Sequence, residues 1–207
     1  MEYNILGKSG IRVSKMCFGT LTLGPLQKNY SVREGANRLS YAYDKGINFL
    51  DTAELYDNYA QIKESLINRP RDSVNIFTKS YAYDSKTAED SLAKALKELN
   101  TDYIDGFLLH EQESEHTLRG HMEAAEFFVR AKEKGYIRTF GVSTHSINCV
   151  LASLKYDFID VIHPLFNKSG IGILDGSASE MLSAIKTASN KGVGIYSMKP
   201  LGGGNLI

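Results

Sequence analysis

Short apolar runs alternate with helical patterns along the whole of this chain. The runs are MCFGT (16–20), INFLDTA (47–53), VNIFTKS (74–80), YIDGFLLH (103–110), IRTFGVST (137–144), FIDVIHPLFN (158–167) and VGIYSMKP (193–200). Between them the spacing predicts helices over about 32–45, 60–67, 121–134 and 147–155. Another starts near Thr87 and carries Leu92, Leu96 and Leu99 on one stripe. A last one follows a Ser177/Glu180 capping box and ends at Gly192. The runs are nearly continuous in apolar residues rather than alternating, which suits parallel strands covered on both faces. They recur every 30 residues or so, roughly the length of one strand–helix unit.

Seven such beats fit either an open doubly wound sheet or a barrel. The ends of the runs decide between them. Asp51, Lys79, His110, Ser143 and Asn167 stand at the C-terminal ends of five successive runs. A barrel gathers those ends at one mouth, whereas an open sheet cannot turn all five toward one ligand. No GxGxxG follows the first run and no GxxxxGK[ST] occurs, which weighs against the dinucleotide-binding and P-loop sheets. Ile5 and Leu6, then Ile11 and Val13, flank Gly7-Lys8-Ser9-Gly10. That pattern predicts a hairpin, which would close the bottom of a barrel. The expected fold is therefore a (β/α)8 TIM barrel with an N-terminal β-hairpin, one domain over residues 1–207. It is expected to be incomplete, lacking strand eight and the C-terminal helices, since such barrels typically take about 250 residues. Uncovered barrel edges would favour self-association.

Composition narrows the partners. Lys+Arg and Asp+Glu number 24 each, so the formal net charge is zero. Neither nucleic acid nor an anionic membrane is expected as a partner. No apolar run approaches the roughly 20 residues that span a bilayer, and MEYNILGKSG has no secretory pattern. Cys17 and Cys149 form neither a disulfide framework nor a zinc pattern, so two reduced thiols in a cytoplasmic protein are expected. His116 and His121 show no HxH or HExxH spacing, read as surface residues, and imply no metal.

The chemistry concentrates at the mouth. Lys79 follows Ile76, Phe77 and Thr78 in a buried run, where its ammonium is partly desolvated and needs a partner. Asp51, on the neighbouring run, is the obvious one. Tyr56 follows Asp51 in the adjoining loop, and His110 ends the next run. Taken singly these are an N-cap, a packing tyrosine and a core histidine. Together they point to a reactive centre.

Gly19-Thr20, DTAELY (51–56), Lys79, LLH (108–110) and GVST (141–144) occur in the order in which aldo-keto reductases carry them. The chain resembles that family over essentially its whole length. HEQESEH (110–116) and MKPLGGGNLI (198–207) are most similar to a bacterial subgroup that often carries a C-terminal iron–sulfur segment. An iron–sulfur cluster is expected only in a longer parent chain, since this sequence lacks the cysteines. The resemblance implies hydride transfer from NADPH, or NADH, to a small carbonyl substrate. It makes Tyr56 the proton donor, with Lys79 lowering its pKa, Asp51 keeping Lys79 charged and His110 orienting the carbonyl oxygen. It also implies cofactor contacts at Gly19, Thr20, Ser143, Thr144, His163 and Asn167. Met198 would pack on the nicotinamide ring, with Pro200, Leu201, Gly202 and Gly203 near the pyrophosphate. Thr144 stands where many relatives have Asn, His163 where many have Gln, and Met198 where an aromatic is usual. The alternatives are a non-catalytic nicotinamide-binding regulatory module and an inactive barrel fragment.

Overall fold

A computed structural model describes residues 1–207. Strands β1 (Tyr3–Ile5) and β2 (Arg12–Ser14) pair antiparallel. The turn between them is a single 3-10 turn closed by Gly10 at φ 72°, a left-handed position that glycine adopts freely. Seven further strands follow: β3 (Phe18–Gly19), β4 (Phe49–Asp51), β5 (Asn75–Ser80), β6 (Ile104–Leu109), β7 (Ile137–Thr144), β8 (Val161–Pro164) and β9 (Gly194–Ile195). All are parallel and lie side by side in chain order.

Helices α1 (Val32–Asp44), α2 (Tyr59–Ser65), α3 (Ser85–Leu99), α4 (Glu115–Gly120), α5 (Met122–Glu133), α6 (Ile147–Ser153) and α7 (Ala178–Asn190) fill the connections. Local chemistry sets their starts. Ser31, Asp84, Ser114 and Ser177 each accept the backbone N–H three residues on, and Glu34, Thr87, Thr117 and Glu180 return the bond. Helix α4 has no counterpart in the apolar pattern, because Gly120 and His121 interrupt it before α5. His121 accordingly sits half-buried at that junction, its Nδ1 2.7 Å from the Thr117 carbonyl, rather than freely on the surface.

Alternation along the strands divides the core in two. Leu50, Ile76, Phe107, Phe140 and Ile162 face outward into the layer shared with the helices. Phe49, Phe77, Leu108 and Val161 face inward and meet Leu6, Ile11 and Val13 of the hairpin, which plugs the N-terminal end. The sheet curls on itself far enough for Tyr196, just past β9, to pack on Phe49 and Phe77, at ring separations of 4.8 and 5.5 Å. It remains open between β3 and β9, which do not pair. A groove of about 660 Å³ runs there, lined in part by Cys17, Ile195, Tyr196 and Ser197. No helix is long and apolar enough to cross a membrane.

Two glycines set the spacing of the middle strands. A Cβ on Gly106 would lie 2.2 Å from the Phe77 ring, and one on Gly141 would lie 1.9 Å from the Val161 carbonyl oxygen. A ring edge can tilt, whereas a backbone oxygen in a sheet cannot. Gly141→Ala is therefore expected to lose about 1–3 kcal/mol of stability through forced separation of β7 and β8. Chemical denaturation measures this, and an unchanged midpoint would refute so close an approach.

Candidate active site

The inward parity that buries Phe49, Phe77, Leu108 and Val161 also turns Asp51, Lys79, His110 and His163 inward, each two residues further toward the mouth. Lys79, only 1% exposed, donates from Nζ to Asp51 Oδ2 at 2.8 Å and to the Thr52 carbonyl at 2.6 Å. The second carboxylate oxygen, Oδ1, accepts the Tyr196 hydroxyl at 3.0 Å, with His163 Nε2 3.6 Å away. Burial pushes the Asp51 carboxyl upward. The Lys79 charge, aided by His163 and by hydrogen bonds from Lys79 and Tyr196, outweighs burial and holds it below the usual carboxylate range.

Tyr56 closes the 3-10 turn Glu54–Tyr56 that follows β4. Lys79 Nζ lies over its ring, 4.9 Å from the centroid. The Tyr56 ring meets His110 edge-on at 5.8 Å, and Tyr81 stacks on His110 at 4.6 Å. The Tyr81 hydroxyl donates to Glu111. His110 is 5% exposed, and its enclosed Nδ1 has no partner. A neutral imidazole carries one N–H. With no acceptor at Nδ1, a carbonyl oxygen offered at the mouth would fix that hydrogen on Nε2.

The ionisation of Tyr56 differs from the expectation that Lys79 lowers it. The phenol is pushed upward, by burial first and then by Asp51, Glu111 and Tyr81. The reason is geometric. The phenol is largely buried, and the Lys79 charge beside it is balanced by Asp51 at 2.8 Å. Tyr56 is thus a fully protonated acid in the resting protein.

Both buried histidines are neutral at pH 7. Burial, with Lys79 adding to it, pushes His110 down from 6.5 to about 4. Burial pushes His163 down to about 4 as well, although Asp51 opposes the shift. Between 6.5 and about 4 the unfolded chain takes up protons that the folded chain refuses. Stability from these two groups is complete above 6.5 and is lost as pH falls toward 4. Denaturant midpoints are expected to decline through that window on acidification. A flat profile there would count against buried neutral imidazoles.

Residues 15–207 match the family model described as the aldo/keto reductase family. The chain belongs to that family. It is 27% identical over 230 residues to the uncharacterized oxidoreductase YrpG of Bacillus subtilis, covering all of this chain and 68% of YrpG. An aldo-keto reductase of Bacillus halodurans, solved in its holo form, superposes with a TM-score of 0.80 at 23% identity, over 99% of this chain and 68% of that one. The Bombyx mori aldo-keto reductase solved in complex with NADP gives 0.76 at 18% identity, over 96% of this chain and 66% of that one. The chain thus spans about two thirds of the length of these relatives.

Most of the residues expected to contact a nicotinamide cofactor are already engaged within the chain. Ser143 Oγ accepts the Glu111 N–H at 2.9 Å and keeps its hydroxyl hydrogen and one lone pair free. Thr144 Oγ1 accepts the Ser146 N–H at 2.9 Å. The Asn167 amide closes on the backbone of Ile171 at both ends. Thr20 is locked to Asn58 through its carbonyl and hydroxyl, while Gly19 is exposed. His163 lies deep inside, its Nδ1 2.7 Å from the Tyr196 carbonyl. Met198 is half-buried, its sulfur 3.2 Å from His145 Nε2. Past the exposed Pro200 and Leu201, the Gly202–Gly204 turn has left-handed φ values throughout, and no atom lies within 4 Å of a Cβ built on Gly203 or Gly204. Within this turn the Gly202 and Gly204 N–H groups donate to the Lys199 and Leu201 carbonyls, which leaves the Gly203 N–H free. The structure brings Asp51, Tyr56, Lys79 and His110 together and adds Glu111 and two tyrosines that the motifs do not mark, Tyr81 and Tyr196. No group of three or more His, Cys, Asp or Glu is placed to hold a metal ion.

Proposed function

We propose that this chain reduces a small aldehyde or ketone to an alcohol with NADPH as the hydride source and Tyr56 as the proton donor. The observation that carries the reading is the pairing of a neutral Tyr56 and a neutral His110 over the buried Lys79–Asp51 ion pair. When bound, the nicotinamide supplies a hydride to the carbonyl carbon. His110 donates its N–H to the carbonyl oxygen and orients it. Tyr56 gives that oxygen its proton, and its phenolate is then stabilised by the Lys79 ammonium before solvent restores the hydrogen. Because Tyr56 is pushed up in the resting site, its acid form is fully populated, and the proton transfer draws its driving force from the charge building on the oxygen. The NADP complex of the Bombyx mori relative supports the choice of cofactor.

A second reading, an inactive barrel fragment, is favoured by the internal commitment of Thr144, Asn167 and His163, which leaves a nicotinamide few partners. Titration of NADPH, with NADH in parallel, into the purified chain tests both, followed by a panel of aldehydes and ketones. Saturable binding with NADPH consumption on the panel is expected. Binding without turnover would sink the reduction and leave a nicotinamide-binding module, and no binding of either nucleotide would favour the second reading.

A further inference from the structure

The Asp51–Lys79 pair has a support on the opposite wall of the barrel that no motif marks. A carboxylate has two oxygens. Lys79 takes Oδ2, and Oδ1 turns toward the interior beside the groove along the open edge. A buried carboxylate held by one oxygen only can pivot or take up a proton. Here the Tyr196 hydroxyl, 145 residues away in sequence, reaches Oδ1 at 3.0 Å.

Tyr196 is itself held. The His163 ring stacks on it at 4.0 Å with planes 16° apart, and His163 Nδ1 donates to the Tyr196 carbonyl at 2.7 Å. Phe49 and Phe77 close two further sides. This commits the one N–H of a neutral His163 to the backbone, and its Nε2 faces Asp51 at 3.6 Å. In this structure His163 therefore serves the barrel interior and not a nicotinamide amide.

We infer that Tyr196 is a positioning residue for the Asp51–Lys79 pair and that His163 is its brace. Tyr196 fixes the carboxylate, the carboxylate fixes the ammonium, and the ammonium lies beneath the Tyr56 ring. The ionisable groups that face Asp51 are Lys79 from β5, His110 after β6, His163 from β8, Tyr196 after β9, Cys17 before β3 and Tyr56 after β4. Of these, Lys79 and Tyr196 donate hydrogen bonds to the carboxylate. A tyrosine that merely filled the interior would be replaced by phenylalanine without consequence for Asp51.

The test is a ¹³C titration of Asp51 in the nucleotide-free 207-residue chain, its signal assigned through Asp51→Asn. Tyr196→Phe keeps the ring and removes the hydroxyl. Loss of that donor disfavours the carboxylate, so the Asp51 midpoint is expected to rise by roughly one pH unit. His163→Leu keeps the hydroxyl and removes the brace, and a smaller rise in the same direction is expected. An Asp51 midpoint in Tyr196→Phe equal to that of the wild type would overturn the inference. The catalytic arm rests on the proposed reduction. There, Tyr196→Phe is expected to lower kcat and shift its pH profile while KM for the carbonyl stays constant. If the wild-type chain shows no turnover, the proposed function fails and the titration alone decides the role of Tyr196.

Discussion

Tyr56→Phe is expected to lower kcat for carbonyl reduction by about 10²–10⁴-fold, the range that a positioned general acid contributes. Only one atom is lost. The ring stays edge-on to His110 and over Lys79, so stability and nucleotide affinity are expected to change little. The hydroxyl makes no hydrogen bond within the protein that its removal would break. Any loss of rate therefore reports the proton and not the packing. Following NADPH consumption at saturating carbonyl substrate separates the two. A Tyr56→Phe chain that reduces substrate at the wild-type rate would remove Tyr56 from the chemistry. The pH profile adds a second reading. With the phenol pushed up and His110 pushed down to about 4, neither group changes charge near neutrality. The rate of reduction is therefore expected to be flat from pH 6.5 to 8.5, roughly the interval between a depressed imidazole and an elevated phenol.

The architecture was legible because a parallel sheet under helices writes itself into continuous apolar runs, and each of β3 to β9 lies within one of the seven runs. Asp51, Lys79 and His110 were legible for a related reason. They break an apolar run at its C-terminal end, where only a site or a buried partner explains a charge. Tyr196 carried no such signal, since a tyrosine in VGIYSMKP is unremarkable until the curl of the sheet brings it to Asp51. The raised pKa of Tyr56 was hidden as well. Proximity of Lys79 was foreseeable, but the net direction depends on how deeply the phenol is buried and on how tightly Asp51 balances the ammonium. The engagement of Thr144 and Asn167 with their own loops was also beyond a linear reading, because it depends on where Ser146 and Ile171 fold back.

Lys79→Met is expected to be the most destabilising single change in the site, at about 3–5 kcal/mol, the cost of leaving one partner of a buried ion pair behind. Methionine matches the length of the lysine stem, so cavity formation contributes little. What remains is Asp51 with one oxygen on Tyr196 and the other facing an apolar thioether, together with a Thr52 carbonyl stripped of its donor. The carboxyl then has reason to protonate, and the loss relative to the wild type should shrink as pH falls through the raised Asp51 pKa. In the wild type the depressed Asp51 pKa contributes stability that is lost on acidification. Asp51→Asn combined with Lys79→Met removes the stranded charge while retaining a group for the Tyr196 hydroxyl. The double variant is expected to recover much of the loss, because replacing both partners of a buried pair is far less costly than removing one. Denaturant titrations of the wild type, both single variants and the double variant measure the coupling directly. Strictly additive losses would mean that the two residues do not act as a pair, and the account of Lys79 held in place by Asp51 would fall with it.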